Sequence, residues 1–87
     1  MIRYTVLWRQ DAENELAALW LNYPNRQEIT HATDRIDAEL RDDAHQKGFL
    51  LSRNVRTFSS PPLTAYFRIE HADRKVFVEA VQLTETN

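Results

Sequence analysis

Two runs of alternating apolar and polar residues, separated by a short polar break, dominate the C-terminal third of the chain. The apolar positions of the first run, residues 62–71, are Leu63, Ala65, Phe67 and Ile69. Those of the second run, residues 75–83, include Val76, Val78 and Ala80 on one face. Because strand side chains point to opposite faces in turn, each run predicts a strand with one buried face. The break at residues 72–74 predicts a hairpin.

The N-terminal half changes from a strand period to a helical one. Residues 2–8 alternate, and their apolar face consists of Ile2, Tyr4, Val6 and Trp8. A helix is predicted from Gln10 to Tyr23, with Asp11 as its N-cap and Pro24 as its stop. Its apolar stripe includes Trp20, so we expect both tryptophans in the core.

A second helix is predicted immediately after the first. Asn25 is a typical N-cap, and Glu28 three residues later completes a capping box. The apolar residues that follow share one helical face: Ile29, Ala32, Ile36 and Leu40. A break of only two residues between the helices favours an antiparallel helical hairpin.

The segment between the helices and the C-terminal hairpin is less regular. Gly48, the single glycine, is expected at a positive φ angle. Residues 53–58 are predicted to form a strand, and Ser59–Pro62 a stiff connection. The order is β-α-α-β-β-β, which predicts one α+β domain over residues 1–87, with the helical hairpin packed on one face of an antiparallel sheet. Residues 84–87 are expected to fray.

Composition bounds the function. The 87 residues carry a net charge of −2, and 43% are hydrophobic, as in ordinary globular proteins. No apolar run is long enough for a membrane span, and the N-terminus lacks the features of a signal peptide. The absence of cysteine excludes disulfides, zinc–thiolate sites and thiol catalysis. We expect a cytoplasmic protein without a cofactor.

Positive charge nevertheless clusters in the C-terminal half. The polar face of the predicted sheet carries Arg68, Tyr66 and Glu79, and Arg56 is expected beside them. Such a face is suited to phosphate binding with acid–base chemistry. A structural alternative remains open, because Arg68 and Glu79 would also form an ordinary cross-strand ion pair.

The three histidines do not form a metal motif. His31 lies three residues before Asp34 on the second helix, whereas His45 and His71 stand alone. A metal site needs three or four converging ligands, so we expect none.

Several of these features together resemble the RelE/ParE superfamily of type II toxins, often called plasmid stabilisation proteins. The resemblance spans about residues 3–83 and rests on these segments: Val6-Leu-Trp8, Ala12 to Leu16, Trp20, Ile36-Asp37-x-x-Leu40, Gly48, Val55-Arg56, Pro62-Leu63-x-x-Tyr66-Phe67 and Asp73-Arg74-x-Val76-x-Val78-x-x-Val81. It implies a toxin that a cognate antitoxin neutralises. RelE-like members cleave mRNA on the ribosome without metal, and ParE-like members inhibit DNA gyrase.

The resemblance also assigns residues. Arg56 matches the common arginine of the family, and Arg68 and Tyr66 lie on the strand expected to act, so these three are the catalytic candidates. Lys47 and Arg53 would substitute for the basic second-strand side chains of the family. The charge pattern adds Arg74 and Glu79 as further candidates for binding nucleic acid or a partner. The arginine that nuclease members carry early in the third strand falls near Leu63 or Thr64 here, and their C-terminal basic and aromatic residues have no counterpart. The usual nuclease site is therefore not intact.

Two hypotheses follow. The first is a toxin that acts through the arginine-bearing sheet face on mRNA at the ribosome or on gyrase. The second is a non-catalytic interaction protein on the same fold, which uses the same face or an unpaired strand edge to take up a partner peptide by strand addition.

Overall fold

The computed structural model describes residues 1–84, so residues 85–87 of the predicted frayed end lie outside it. The elements are β1 Thr5–Trp8, α1 Gln10–Asn22, α2 Arg26–Arg41, a 3₁₀ helix Ala44–Gln46, β2 Phe49–Leu50, β3 Arg56–Ser60, β4 Leu63–Glu70 and β5 Lys75–Leu83. The strands form one sheet in the order β1-β5-β4-β3-β2.

The sheet is mixed rather than wholly antiparallel. Strands β2 to β5 pair antiparallel, as predicted. At the other edge β1 runs parallel to β5, with Thr5 opposite Lys75 and Trp8 opposite Val78. Alternation within β1 defines its faces but carries no information on the direction of its neighbour, which the path of the intervening chain decides.

The two helices cover one face of this sheet and form a two-layer α+β structure, as predicted. On β4, Leu63, Ala65 and Phe67 are fully buried. They belong to a single core cluster with the predicted apolar face of α2, whose members are Ile29, Ala32, Ile36 and Leu40. Burial of these apolar side chains is the main source of stability in such a small fold.

A β-bulge in β5 changes which side chains reach the core. The register passes from Val78 to Ala80 between adjacent residues of β4, which leaves Glu79 as an extra residue. One extra residue shifts the alternation beyond it, so Val81 is buried and Ala80 is only half-buried. The prediction that Ala80 belongs to the clean apolar face is therefore wrong.

The irregular middle segment contains one strand more than expected. The predicted strand at residues 53–58 is shifted to β3, and the short β2 pairs with it at the edge of the sheet. Gly48, directly before β2, has φ of 62°, as predicted. A Cβ there would lie 1.7 Å from the carbonyl oxygen of Thr57, so the close approach of the two segments requires glycine.

The helix starts agree only in part with the capping predictions. The side chain of Asn25 accepts hydrogen bonds from the amides of Gln27 at 3.1 Å and Glu28 at 3.4 Å, which confirms the cap of α2. In α1, Arg9 occupies the N-cap position without a side-chain bond, and Asp11 lies in the first turn. Among the described residues, neither helix is long and apolar enough to cross a membrane.

Candidate functional site

The sheet face opposite the helices, here called the open face, carries a small charged cluster. The Nε of Arg68 donates to Oε1 of Glu79 at 2.8 Å. The other carboxylate oxygen of Glu79 lies 3.5 Å from the Nε of Arg9. The cross-strand ion pair, weighed as a structural alternative, is therefore present.

Both arginines of this cluster also flank one aromatic ring. The guanidinium carbons of Arg9 and Arg68 lie 5.1 and 5.4 Å from the ring centroid of Phe77. Such cation–π contacts contribute about 0.5–1 kcal/mol each when exposed. Arg9 was missed by sequence reasoning, because only the parallel pairing of β1 with β5 brings it to this ring.

Tyr66 lies on the same open face, but its contact is different from the one predicted. Its hydroxyl accepts a hydrogen bond from the side-chain amide of Gln82 on the neighbouring strand. Within residues 1–84, Tyr66 makes no hydrogen bond to Arg56 or Arg68, so its predicted role of orienting them has no such contact behind it.

Arg56 lies on the helix-facing side, so the prediction that it shares a face with Arg68 is wrong. It pairs with Phe67, which is buried beneath the helices. Its Nε donates to the carbonyl oxygen of Lys47 at 3.1 Å, which ties β3 to the preceding loop. The alternation contained this signal, since Arg56 has the same parity as the apolar Phe58.

Lys47, a predicted binding residue, is engaged in an ion pair. Its ammonium lies 2.7 Å from Oε2 of Glu39 on α2. The hydrogen bond and positive charge of Lys47 lower the pKa of the Glu39 carboxyl.

Arg74 is also separate from the other candidates. It occupies the tip of the β4–β5 hairpin in the left-handed region, with φ of 53°. Its carbonyl accepts from the amide of Thr5 at 2.8 Å, so its backbone helps to join β1 to the sheet.

Three of the predicted arginines nevertheless meet in a cleft of about 410 Å³ at one end of the sheet, here called the arginine cleft. Pairing between β3 and β4 ends with Arg56, whereas β4 continues to Glu70, and the cleft lies beside this overhang. Its lining residues are His45, Leu50, Arg53, Asn54, Arg56, Arg68, Ile69 and His71. None of them carries a carboxylate, so the lining is positive although the whole chain is acidic.

His45 enters this cleft from the 3₁₀ helix, and a contact with Tyr4 holds its ring. Its Nδ1 lies 3.1 Å from the hydroxyl of Tyr4, a residue of the core. This contact engages Nδ1, so Nε2 is the ring nitrogen that is left for other contacts. Sequence reasoning treated His45 as isolated, because Tyr4 is 41 positions away and the contact has no local signal.

The turn before the 3₁₀ helix is fixed by Asp43. Its Oδ1 accepts from the backbone amide of Ile2 at 2.7 Å, and this hydrogen bond lowers the pKa of the Asp43 carboxyl. Asp43 itself has φ of 51° and is the N-cap of the 3₁₀ helix that carries His45.

Comparison with known proteins places this fold. No family model matches the chain, and no curated protein matches it in sequence. Among solved structures, it is similar to a chain of the toxin–antitoxin complex RelBE2 from Mycobacterium tuberculosis, with 17% identity, a TM-score of 0.80, and 97% of this chain and 94% of that chain covered. It is also similar to a chain of the chromosomal ParDE toxin–antitoxin system from P. aeruginosa, with 17% identity, a TM-score of 0.73, and 95% and 98% covered. The predicted RelE/ParE-like fold is thus confirmed.

Proposed function

We propose that this chain is the toxin component of a type II toxin–antitoxin pair, that it works in the cytoplasm, and that a cognate antitoxin neutralises it. Two solved structures from toxin–antitoxin systems share the fold over nearly the full length of both chains. A shared fold does not define a function by itself, so the proposal also depends on the site.

The arginine cleft is the observation that carries the proposal. Arg53, Arg56 and Arg68 line it together without a carboxylate among the lining residues. Guanidinium groups bind phosphate through charge and paired hydrogen bonds. We infer that the target is the phosphodiester backbone of mRNA at the ribosome, with Arg53 and Arg68 as its direct contacts and Arg56 holding the cleft wall. Tyr66, Glu79, Lys47 and Arg74 are not among the residues that line the cleft, so the proposal gives them no direct contact with the RNA backbone.

Induced expression in bacterial cells tests this proposal. The wild-type chain should arrest growth, and Arg53→Ala and Arg68→Ala should each relieve the arrest. Arg26→Ala is the matched control, because Arg26 stacks on Trp20 at 4.6 Å on the helical hairpin and should not affect toxicity. A harmless wild type would contradict the toxin proposal, and arrest that persists in both cleft variants would contradict the site.

The antitoxin is proposed to cover an apolar groove on the helical hairpin. The groove, of about 590 Å³, runs between the two helices, and its apolar lining includes Leu16, Trp20, Leu21 and Ile29. Trp20 is 40% exposed, so its predicted core position is wrong. Glu13 and Asp34 line the same groove, which favours an amphipathic segment with basic residues beside its apolar ones.

A second candidate function is the non-catalytic interaction protein. It is favoured by β2, which lies at the edge of the sheet. Phe49 and Leu50 of this strand and the following Leu51 are all exposed, Phe49 to 80%. An open edge with apolar side chains is suited to strand addition by a peptide. In that case Phe49→Asp should abolish partner binding in a pull-down, while Arg68→Ala should leave it unchanged.

A further inference from the structure

We propose that His45 and His71 are the acid–base groups of a metal-free RNA-cleaving centre in the arginine cleft. The inference rests on the proposed function, in which this cleft takes the RNA backbone. It adds the identity of the proton-transferring groups, which the residues aligned with the family pattern do not supply.

The composition of the cleft leads to these two residues by elimination. Of the eight residues lining the cleft in the described part of the chain, three are arginines, one is Asn54, and two are the aliphatic Leu50 and Ile69. Arginine stays protonated in proteins, and neither the side-chain amide of asparagine nor an aliphatic side chain gains or loses a proton near neutral pH. Imidazole is the side chain that both accepts and donates a proton near neutral pH. Only His45 and His71 among the lining side chains therefore meet the requirement.

The two histidines enter the cleft from different elements of the fold. His45 comes from the 3₁₀ helix, with its ring held by the hydroxyl of Tyr4. His71 directly follows β4 at the hairpin turn. A cleft of about 410 Å³ is in the size range of sites that hold a small ligand. Its lining includes the three arginines as well as the two imidazoles. Because the cleft holds two separate imidazoles, one is available for the attacking oxygen of a bound phosphodiester and the other for its leaving oxygen.

The step balances without a metal or a co-reactant. The ribose 2′-oxygen forms a bond to the adjacent phosphorus while the bond from phosphorus to the 5′-oxygen breaks. A neutral imidazole takes the proton of the 2′-hydroxyl, and the protonated imidazole gives its proton to the leaving 5′-oxygen. The products are a 2′,3′-cyclic phosphate and a 5′-hydroxyl. The arginines stabilise the negative charge that develops on the phosphorane.

The experiment measures RNA cleavage by the purified chain in the presence of EDTA, in two arms. One arm uses a 5′-labelled single-stranded RNA of mixed sequence, and the other uses a reporter mRNA on translating ribosomes, read by primer extension. We expect cleavage with cyclic-phosphate ends in at least one arm. His45→Gln and His71→Gln should each lower the cleavage rate by about 10²–10⁴-fold, the usual range for loss of an acid–base group.

Matched variants separate a chemical role from a structural one. His31→Gln is the control, because His31 lines a different cleft on α2 and should cleave like the wild type. Retained RNA binding in a filter assay should show that His45→Gln still folds, and the exposed His71 gives an independent test. Tyr4→Phe should slow cleavage by a smaller factor, and should have no further effect when His45 is already glutamine.

The outcomes distinguish the two levels of the proposal. Growth arrest that needs Arg68 but survives both histidine variants would overturn this inference and leave the proposed function standing. Cleavage that both histidine variants retain within about threefold of the wild type would also overturn it. A wild type that neither cleaves RNA in either arm nor arrests growth would remove the proposed function as well.

Discussion

At the scale of single residues, the conformation of Gly48 sets the geometry of the loop that borders the arginine cleft. Its φ of 62° is unfavourable for any residue with a side chain, and a Cβ would lie 1.7 Å from the carbonyl oxygen of Thr57. Gly48→Ala should therefore lower the free energy of unfolding by about 1–3 kcal/mol, measured by urea denaturation. Ser52→Ala, at an exposed position of the following loop, should change it by less than about 0.5 kcal/mol. Equal stability of the two variants would contradict this account of the loop.

The hydrogen bond from Ile2 to Asp43 predicts a pH dependence of stability. Because this bond holds the pKa of the Asp43 carboxyl below its usual range in the folded protein, its stabilising effect is full above the ordinary aspartate pKa of about 3.9. It is lost as the pH falls through the lower folded value. Asp43→Asn keeps a residue that tolerates a positive φ but removes the charge. The stability difference between wild type and variant, measured by urea unfolding over a pH series, should shrink under acid conditions. A difference that is constant with pH would show that the carboxylate charge plays no part.

At the same scale, Glu79 limits the positive charge near the cleft. Its carboxylate pairs with Arg68 and lies near Arg9. Glu79→Gln should strengthen RNA binding and steepen its salt dependence, because Arg68 is then no longer neutralised. Since the pair is partly exposed, stability should change by less than about 1 kcal/mol. Filter binding over a salt series measures the effect, and weaker binding by the variant would show that Glu79 itself contacts the target.

At the scale of elements, the helical hairpin and the sheet end are predicted to have separate tasks. Leu21 on α1 is 62% exposed and lines the apolar groove. Leu21→Asp should retain growth arrest but escape neutralisation by the co-expressed antitoxin, because a charge is buried when the groove is covered. Ala18→Asp, an exposed position on the same helix that does not line the groove, should still be neutralised. Loss of toxicity in Leu21→Asp alone would instead place the acting surface on the helices.

The elements also differ in how far the sequence predicted them. Helix α2 and strand β4 have complete apolar periods, so their faces followed from local pattern. The shift in β5 did not, because Glu79 as an extra residue is visible only once pairing with β4 is known. The position of Arg56 follows from its parity with Phe58, which places both side chains on the helix-facing side of the sheet.

At the scale of the whole molecule, the arginine cleft shows why the site was harder to predict than the fold. Its lining comes from the 3₁₀ helix, the loop after β2 and the end of β4, around His45, Arg53 and Arg68. These segments meet only after the sheet has formed, so no short motif contains them. The net charge of −2 also gave no sign of the cleft, whose lining residues in the described part of the chain include arginines but no acidic side chain. The fold followed from periodicity, whereas the site depends on contacts between distant parts of the chain.

The central claim is that the arginine cleft acts on RNA, and cell-free translation of a preformed mRNA tests it most directly. Inhibition of gyrase has no effect on such a reaction, because the message already exists. The purified wild-type chain should stop protein synthesis, and the folded double variant Arg53→Ala/Arg68→Ala should leave it running. Undiminished synthesis with the wild type, or equal inhibition by the double variant, would contradict the account.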